Sequence, residues 1–392
     1  MFDKAYFDAG VNRIGTDCEK WDGMIAATGD EQMIPMWVAD MDFKTAPCVE
    51  KAVNAVAAKG IYGYQSVDEA YLCAVRSWYS RRFSFEIQDE WILPSPAVMY
   101  SVACAIRALT DEGDAVLIFE PVYYPFEGVI RHNRRQLVIS DLVNHNGHFT
   151  IDFDDLESKI KKDHVKVVLF CSPHNPVGRV WTRQELERFA EICLHHGVKI
   201  ISDEIHSDLV FAPNRHIPVA ALSEEVAANT VTCVAPTKTF NLASVEASEV
   251  IIPDPAICRA VQKEMIANCR YGINTFAVAA TKAVYADGEA WLDELLNYLD
   301  ESRTILSQAF PEDGLIRINQ PEGTYLAWLD CRRLGLSDNM LYNRFLLESG
   351  VRLHKGSTFG KSGEGFMRLN FACPHSVLQE AFDRIKRIIK DR

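Results

Sequence analysis

Five short, nearly unbroken apolar runs constrain this chain more than any other feature: Ala115–Phe119, Val165–Cys171, Lys199–Ser202, Thr230–Ala235 and Val250–Ile252. Several are separated by segments of helical spacing, most clearly Arg183–His195, where Leu186, Phe189, Ala190 and Cys193 share one face. A strand apolar on both sides must be covered on both sides. The pattern therefore predicts an α/β fold with a mostly parallel central sheet covered by helices. In such sheets ligands sit beyond the carboxyl ends of the strands. The residues that follow each run are thus the first place to look for chemistry.

Around this centre the pattern changes. The first 45 residues carry little periodicity and read as an arm or extended crossing segment. Apolar positions then recur at helical spacing over Pro47–Lys59 and Val67–Arg82. A long helical region is predicted over Thr275–Phe310. After it, short strands near Leu315–Ile318, Tyr325–Leu329 and Met367–Phe371 alternate with helices at Asn339–Glu348 and His375–Ile389. The expected organisation is an arm and small-domain segment at 1–46, a large domain at 47–288 and a smaller α+β domain at 289–392.

A chain of 392 residues, 48% of them apolar, can bury a large core. The net charge of −13 argues against a nucleic-acid or anionic-membrane partner. No apolar run approaches the ~20 residues needed to span a bilayer, and Met1-Phe2-Asp3-Lys4 lacks a signal-peptide pattern. The eleven cysteines include no C-x-x-C pair, which suits a reducing compartment without a disulfide framework or metal site. Cytoplasm is the expected location.

Four features fall at predicted strand ends. Val168–Cys171 runs into Ser172-Pro173-His174-Asn175-Pro176-Val177-Gly178, and Ile200-Ile201-Ser202 delivers Asp203-Glu204-Ile205-His206. The run ending at Ala235 delivers Lys238, and Trp91-Ile92-Leu93 leads to Ser95-Pro96-Ala97-Val98 at a helix start. Singly, each has a bland account: a solvated lysine, an Asn-Pro turn, an acidic helix cap, ordinary proline chemistry at a first turn. Together, a lysine, a carboxylate, an amide and a helix N-terminus at one sheet edge suit pyridoxal phosphate. The lysine attaches the cofactor, the carboxylate keeps its ring nitrogen protonated, the amide meets its phenolic oxygen and the helix start takes its phosphate.

With these residues in view, nearly the whole chain resembles the fold-type I pyridoxal-phosphate enzymes of the aspartate aminotransferase superfamily. Pro35–Phe43 (PMWVADMDF), Gly63-Tyr64, Ser202–His206 (SDEIH) and Pro236–Ala243 (PTKTFNLA) are similar to the MalY/PatB branch of cystathionine β-lyase or cystalysin-like C–S lyases. The resemblance implies that Lys238 carries the cofactor and moves the Cα proton, with Asp203 at the pyridine nitrogen and Asn175 at the phenolic oxygen. It implies Tyr123 stacked on the ring, Tyr124 near phosphate or substrate, and His206 beside the cofactor. The phosphate would meet Ala97, Val98 and Thr237, with Tyr64 reaching the phosphate or substrate from the neighbouring subunit of a homodimer. Arg368 would grip the substrate α-carboxylate as a fork, with Ala39 offering backbone to it. Two positions depart from the aminotransferase pattern: Ala235 stands where a serine is usual and Glu246 where a phosphate-binding arginine is usual.

The resemblance implies α,β-elimination from cystathionine, cysteine, cystine or related S-conjugates, giving a thiol, pyruvate and ammonia. An aminotransferase is the alternative, since it shares the early steps, and a regulatory interaction role is a third reading.

Overall fold

The computed structural model describes residues 2–270 and 272–390. Its central sheet has seven strands: β1 (Ile92–Ser95), β2 (Ala115–Glu120), β3 (Gln136–Asp141), β4 (Val167–Cys171), β5 (Lys199–Asp203), β6 (Thr230–Val234) and β7 (Ser248–Ile251). They lie in the order β1-β7-β6-β5-β4-β2-β3. The run from β6 to β3 is parallel, whereas β7 is antiparallel to both β6 and β1.

The apolar runs are continuous because the sheet separates two cores. In β4, Val168 and Phe170 pack on one face with Leu186, Phe189 and Cys193 of the helix α2 (Arg183–His195). Val167, Leu169 and Cys171 pack on the other with Val102, Ala105 and Ile106 of the helix α1 (Val98–Leu109). Successive side chains of a strand point to opposite faces, so both sets must be apolar. Thr182 and Glu185 close a reciprocal capping box at the start of α2.

The carboxyl-terminal part forms a second sheet. Its strands β8 (Arg317–Ile318), β9 (Leu326–Asp330), β10 (His354–Lys355) and β11 (Phe366–Asn370) are ordered β8-β9-β11-β10 and paired antiparallel.

Several expectations need revision. The first 45 residues include short helices at Lys4–Asp8 and Asp22–Thr28. They also include a two-residue strand, Ile34–Pro35, beside Val351–Arg352. These elements are too short for periodicity to show. The Thr275–Phe310 region is two helices, Thr275–Asp287 and Glu289–Ala309, divided at Gly288. The predicted helix Asn339–Glu348 is α-helical only over Asp338–Asn343 and continues as π-helix through Ser349.

Candidate active site

The carboxyl ends of the parallel strands open onto a cavity of about 350 Å³. Among its lining residues are Ala39, Ala97, Val98, Tyr123, Tyr124, Asn175, Asp203, His206, Thr237, Lys238 and Arg368. The fold thus gathers every site residue expected from the sequence except Tyr64. That residue is fully exposed on the segment before the helix Glu69–Phe83, with Ile61 and Tyr62 exposed beside it.

Lys238 lies on a single helical turn, α3 (Pro236–Thr239), immediately after β6. The turn is anchored from below: Thr239 Oγ1 donates to Asp208 at 3.0 Å, and Trp78 Nε1 donates to the other oxygen of that buried carboxylate at 3.1 Å. Lys238 Nζ donates to the Ala39 carbonyl at 2.7 Å, which also accepts from Tyr325 Oη at 3.0 Å. Burial pushes the ammonium down to about 8; Arg368 pushes the same way, while Asp40 and Asp203 oppose it. A lysine so placed yields its free amine at much lower pH than a solvated lysine, about a tenth of it at pH 7, and is therefore available as a nucleophile and base.

Ala39 belongs to the segment Trp37–Phe43, whose carbonyls find few ladder partners and are met by side chains. Asn370 Nδ2 donates to Val38 and Asp40, Asn241 Nδ2 to Met41 and Phe43, and Arg368 Nη2 to Trp37. Arg13 forks onto Asp40 at 2.7 and 2.8 Å, and the buried Lys20 bonds Asp42 at 2.8 Å. These contacts hold the Ala39 carbonyl against Lys238.

Asp203 ends β5 and is 3% exposed. The only hydrogen bond to its carboxylate among the described residues comes from the Ile205 N–H at 3.1 Å. Burial lifts the carboxyl to about 7, with Glu204 adding to the rise. A buried carboxylate this poorly compensated favours a cationic partner in the cavity. His206, three residues on, is held neutral by burial and by Lys238 and Arg368, down to about 3, and its buried Nδ1 has no partner.

Arg368 lies in β11, directly opposite His354 of β10 and Trp328 of β9. Its Nη1 donates to Asn175 Oδ1 at 3.2 Å, its Nη2 to the Trp37 carbonyl at 2.7 Å, and its guanidinium lies 4.7 Å from the Phe359 ring centroid. Among the described residues the buried Nε–H has no partner. An arginine 3% exposed with an unused donor and no carboxylate contact is arranged for an anionic ligand. Burial pushes the Tyr123 phenol up to about 12, aided by Tyr124 and Asp203, so the ring is neutral.

At the start of α1, Ala97 offers no capping side chain, so the first N–H groups of the helix lack an acceptor there. An anion meets that need. Reasoning from the sequence missed Trp37 as a lining side chain, and also His354, whose ring lies 5.4 Å from Tyr124 and 5.0 Å from Phe359. Only the β10–β11 register brings His354 beside Arg368, and the two-residue β10 carries no periodic signal.

A two-part chain built on a mostly parallel sheet, with a lysine and a buried carboxylate at adjacent strand ends, defines the class. The chain belongs to the aminotransferase class I and II family, whose model matches residues 31–385. It is 40% identical to cystathionine beta-lyase PatB of Bacillus subtilis (strain 168) over 384 residues, covering 97% of this chain and 98% of that protein. It is 34% identical to protein MalY of Escherichia coli (strain K12) over 388 residues, 97% of each. The structure of cystalysin from Treponema denticola, which contains a pyridoxal 5′-phosphate cofactor, superposes over 100% of both chains with a TM-score of 0.96 at 34% identity.

Proposed function

We propose that the protein is a pyridoxal-phosphate-dependent carbon–sulfur β-lyase acting on cystathionine or related cysteine S-conjugates. The carrying observation is the convergence of Lys238, Asp203 and Arg368 on one cavity, in a chain similar throughout to cystathionine β-lyases. The residues fit the cofactor: Asp203 lacks a cationic hydrogen-bond partner, the start of α1 lacks an acceptor, and His206 Nδ1 and Arg368 Nε are buried and unused.

Pyridoxal 5′-phosphate, when bound, supplies an electron sink for the pair left at the substrate Cα. Asp203 would hold the proton on its ring nitrogen and Asn175 would meet its phenolic oxygen, with Tyr123 against the ring and His206 beside the cofactor. The N–H groups of Ala97 and Val98, with the Thr237 hydroxyl, take the phosphate. Arg368 grips the α-carboxylate, and the Ala39 backbone borders that end of the site. Lys238 Nζ, which bonds the Ala39 carbonyl at 2.7 Å, would remove the Cα proton. The Cβ–S bond then breaks with its electron pair on sulfur, leaving a thiolate; hydrolysis of the remaining three-carbon fragment gives pyruvate and ammonia. Tyr64, Ile61 and Tyr62 are exposed in a single chain, which suits a homodimer in which Tyr64 reaches the partner's phosphate site.

Incubation with cystathionine and no keto acid tests this. Pyruvate formed over many turnovers, and lost in Lys238→Ala, is expected; a single conversion of the cofactor to its amine form, without pyruvate, would establish an aminotransferase instead.

A further inference from the structure

Glu246 stands at the phosphate end of the cavity, and neither the fold nor the chemistry above employs it. β7 pairs with β1 antiparallel, Ser248 opposite Ser95. Two residues before Ser248 comes Glu246, and two after Ser95 comes Ala97, the residue that caps α1. Both line the cavity, together with Val98, Thr237, Ala243 and Ala247. Glu246 closes the turn Ala243–Val245 with φ +56°, a left-handed conformation uncommon for a side chain of this size. Its side chain is exposed on the cavity wall that also carries the start of α1, where a phosphate would be received. It makes no salt bridge among the described residues that would neutralise it.

We propose that Glu246 is an affinity-setting residue for the cofactor: its carboxylate opposes the phosphate and weakens retention of the phosphorylated cofactor selectively. A phosphate monoester carries close to two negative charges at neutral pH. Backbone N–H groups, the Thr237 hydroxyl and the helix dipole supply hydrogen bonds and only partial positive charge against it. A full negative charge on the same wall subtracts from that attraction. Occupancy of the enzyme then follows the free cofactor concentration, whichever reaction the loaded site performs.

The test is equilibrium titration of the cofactor-stripped full-length protein with pyridoxal 5′-phosphate and, separately, with pyridoxal, following absorbance of the bound chromophore. Pyridoxal keeps the aldehyde and ring and lacks the phosphate, so it reports on the remainder of the pocket. In Glu246→Gln, affinity for pyridoxal 5′-phosphate should rise roughly three- to tenfold while that for pyridoxal stays within about twofold. Glu246→Arg should widen the ratio of the two affinities further. An unchanged ratio in Glu246→Gln, including one in which both ligands tighten or weaken together, overturns the proposal. So does a ratio that moves toward pyridoxal.

Discussion

Glu249→Gln should stabilise this protein above neutral pH and do so by less than half as much in mild acid. Glu249 lies in β7 between Val234 and Pro94 of the neighbouring strands and is 0% exposed. Tyr71 Oη donates to one carboxylate oxygen at 2.6 Å and Tyr285 Oη to the other at 3.4 Å; among the described residues no cation bonds it. Burial lifts the carboxyl from 4.5 to about 7, against the pull of the two tyrosines. Its pKa is therefore higher folded than unfolded. The stability it contributes is fully present below about 4.5 and is lost as pH rises through about 7. By pH 8.5 the charged form costs on the order of 3 kcal/mol, an upper figure because water entry would relieve part of it. Glutamine keeps an oxygen for Tyr71 and turns an N–H2 toward Tyr285, whose hydroxyl can accept. Thermal unfolding of both proteins, saturated with cofactor, at pH 5.5 and pH 8.5 reads the difference. The variant should melt a few degrees higher at pH 8.5 and by less than half that margin at pH 5.5, where only about 1.4 kcal/mol of the cost has accrued. Equal melting temperatures at both pH values, or a loss confined to pH 8.5, would refute the buried-charge argument.

Other outcomes follow from the same geometry. The rate at which stripped protein attaches pyridoxal 5′-phosphate should climb about tenfold per pH unit below about 8 and level off above it, because only unprotonated Lys238 attacks; stopped-flow absorbance gives the profile, and a flat one from pH 6 to 9 would contradict it. Asp203→Asn should lower kcat by about a hundredfold or more, and steady-state pyruvate assays measure it. Arg368→Lys loses the two-pronged grip and should raise KM roughly tenfold or more, with a smaller effect on kcat. Tyr64→Ala should weaken cofactor binding while leaving the unfolding temperature of the cofactor-free protein unchanged, as differential scanning calorimetry can show.

The parallel sheet was readable because β2, β4, β5 and β6 are apolar on both faces, a pattern that only two-sided cover explains. The antiparallel placement of β7 was not readable: Val250–Ile252 is equally apolar, and strand direction follows from the connections. Trp37 and His354 were hidden for a related reason. Trp37 sits in a segment without periodicity, and His354 in a strand of two residues. Each reaches the cavity only through pairing across distant parts of the chain. The network of Arg13, Lys20, Asp40 and Asp42 was equally invisible, since charges in an aperiodic arm read as solvated until folding buries Lys20 to 1% exposure.

From sequence alone, the order of strands and turns determined which residue types emerge at the sheet edge: Asn175, Asp203 and Lys238, each after its own apolar run. That information is local, since a strand end and the turn beyond it occupy adjacent positions in the chain. What those residues become was decided by tertiary structure. Lys238 loses proton affinity because burial and Arg368 disfavour its charge, Asp203 gains it because burial outweighs its carboxylate's one hydrogen bond, and Arg368 is left with a buried, unpaired Nε–H while its Nη groups reach Asn175 and Trp37. Desolvation and charge proximity are properties of the packed molecule, summed over elements far apart in sequence. No residue carries them by itself.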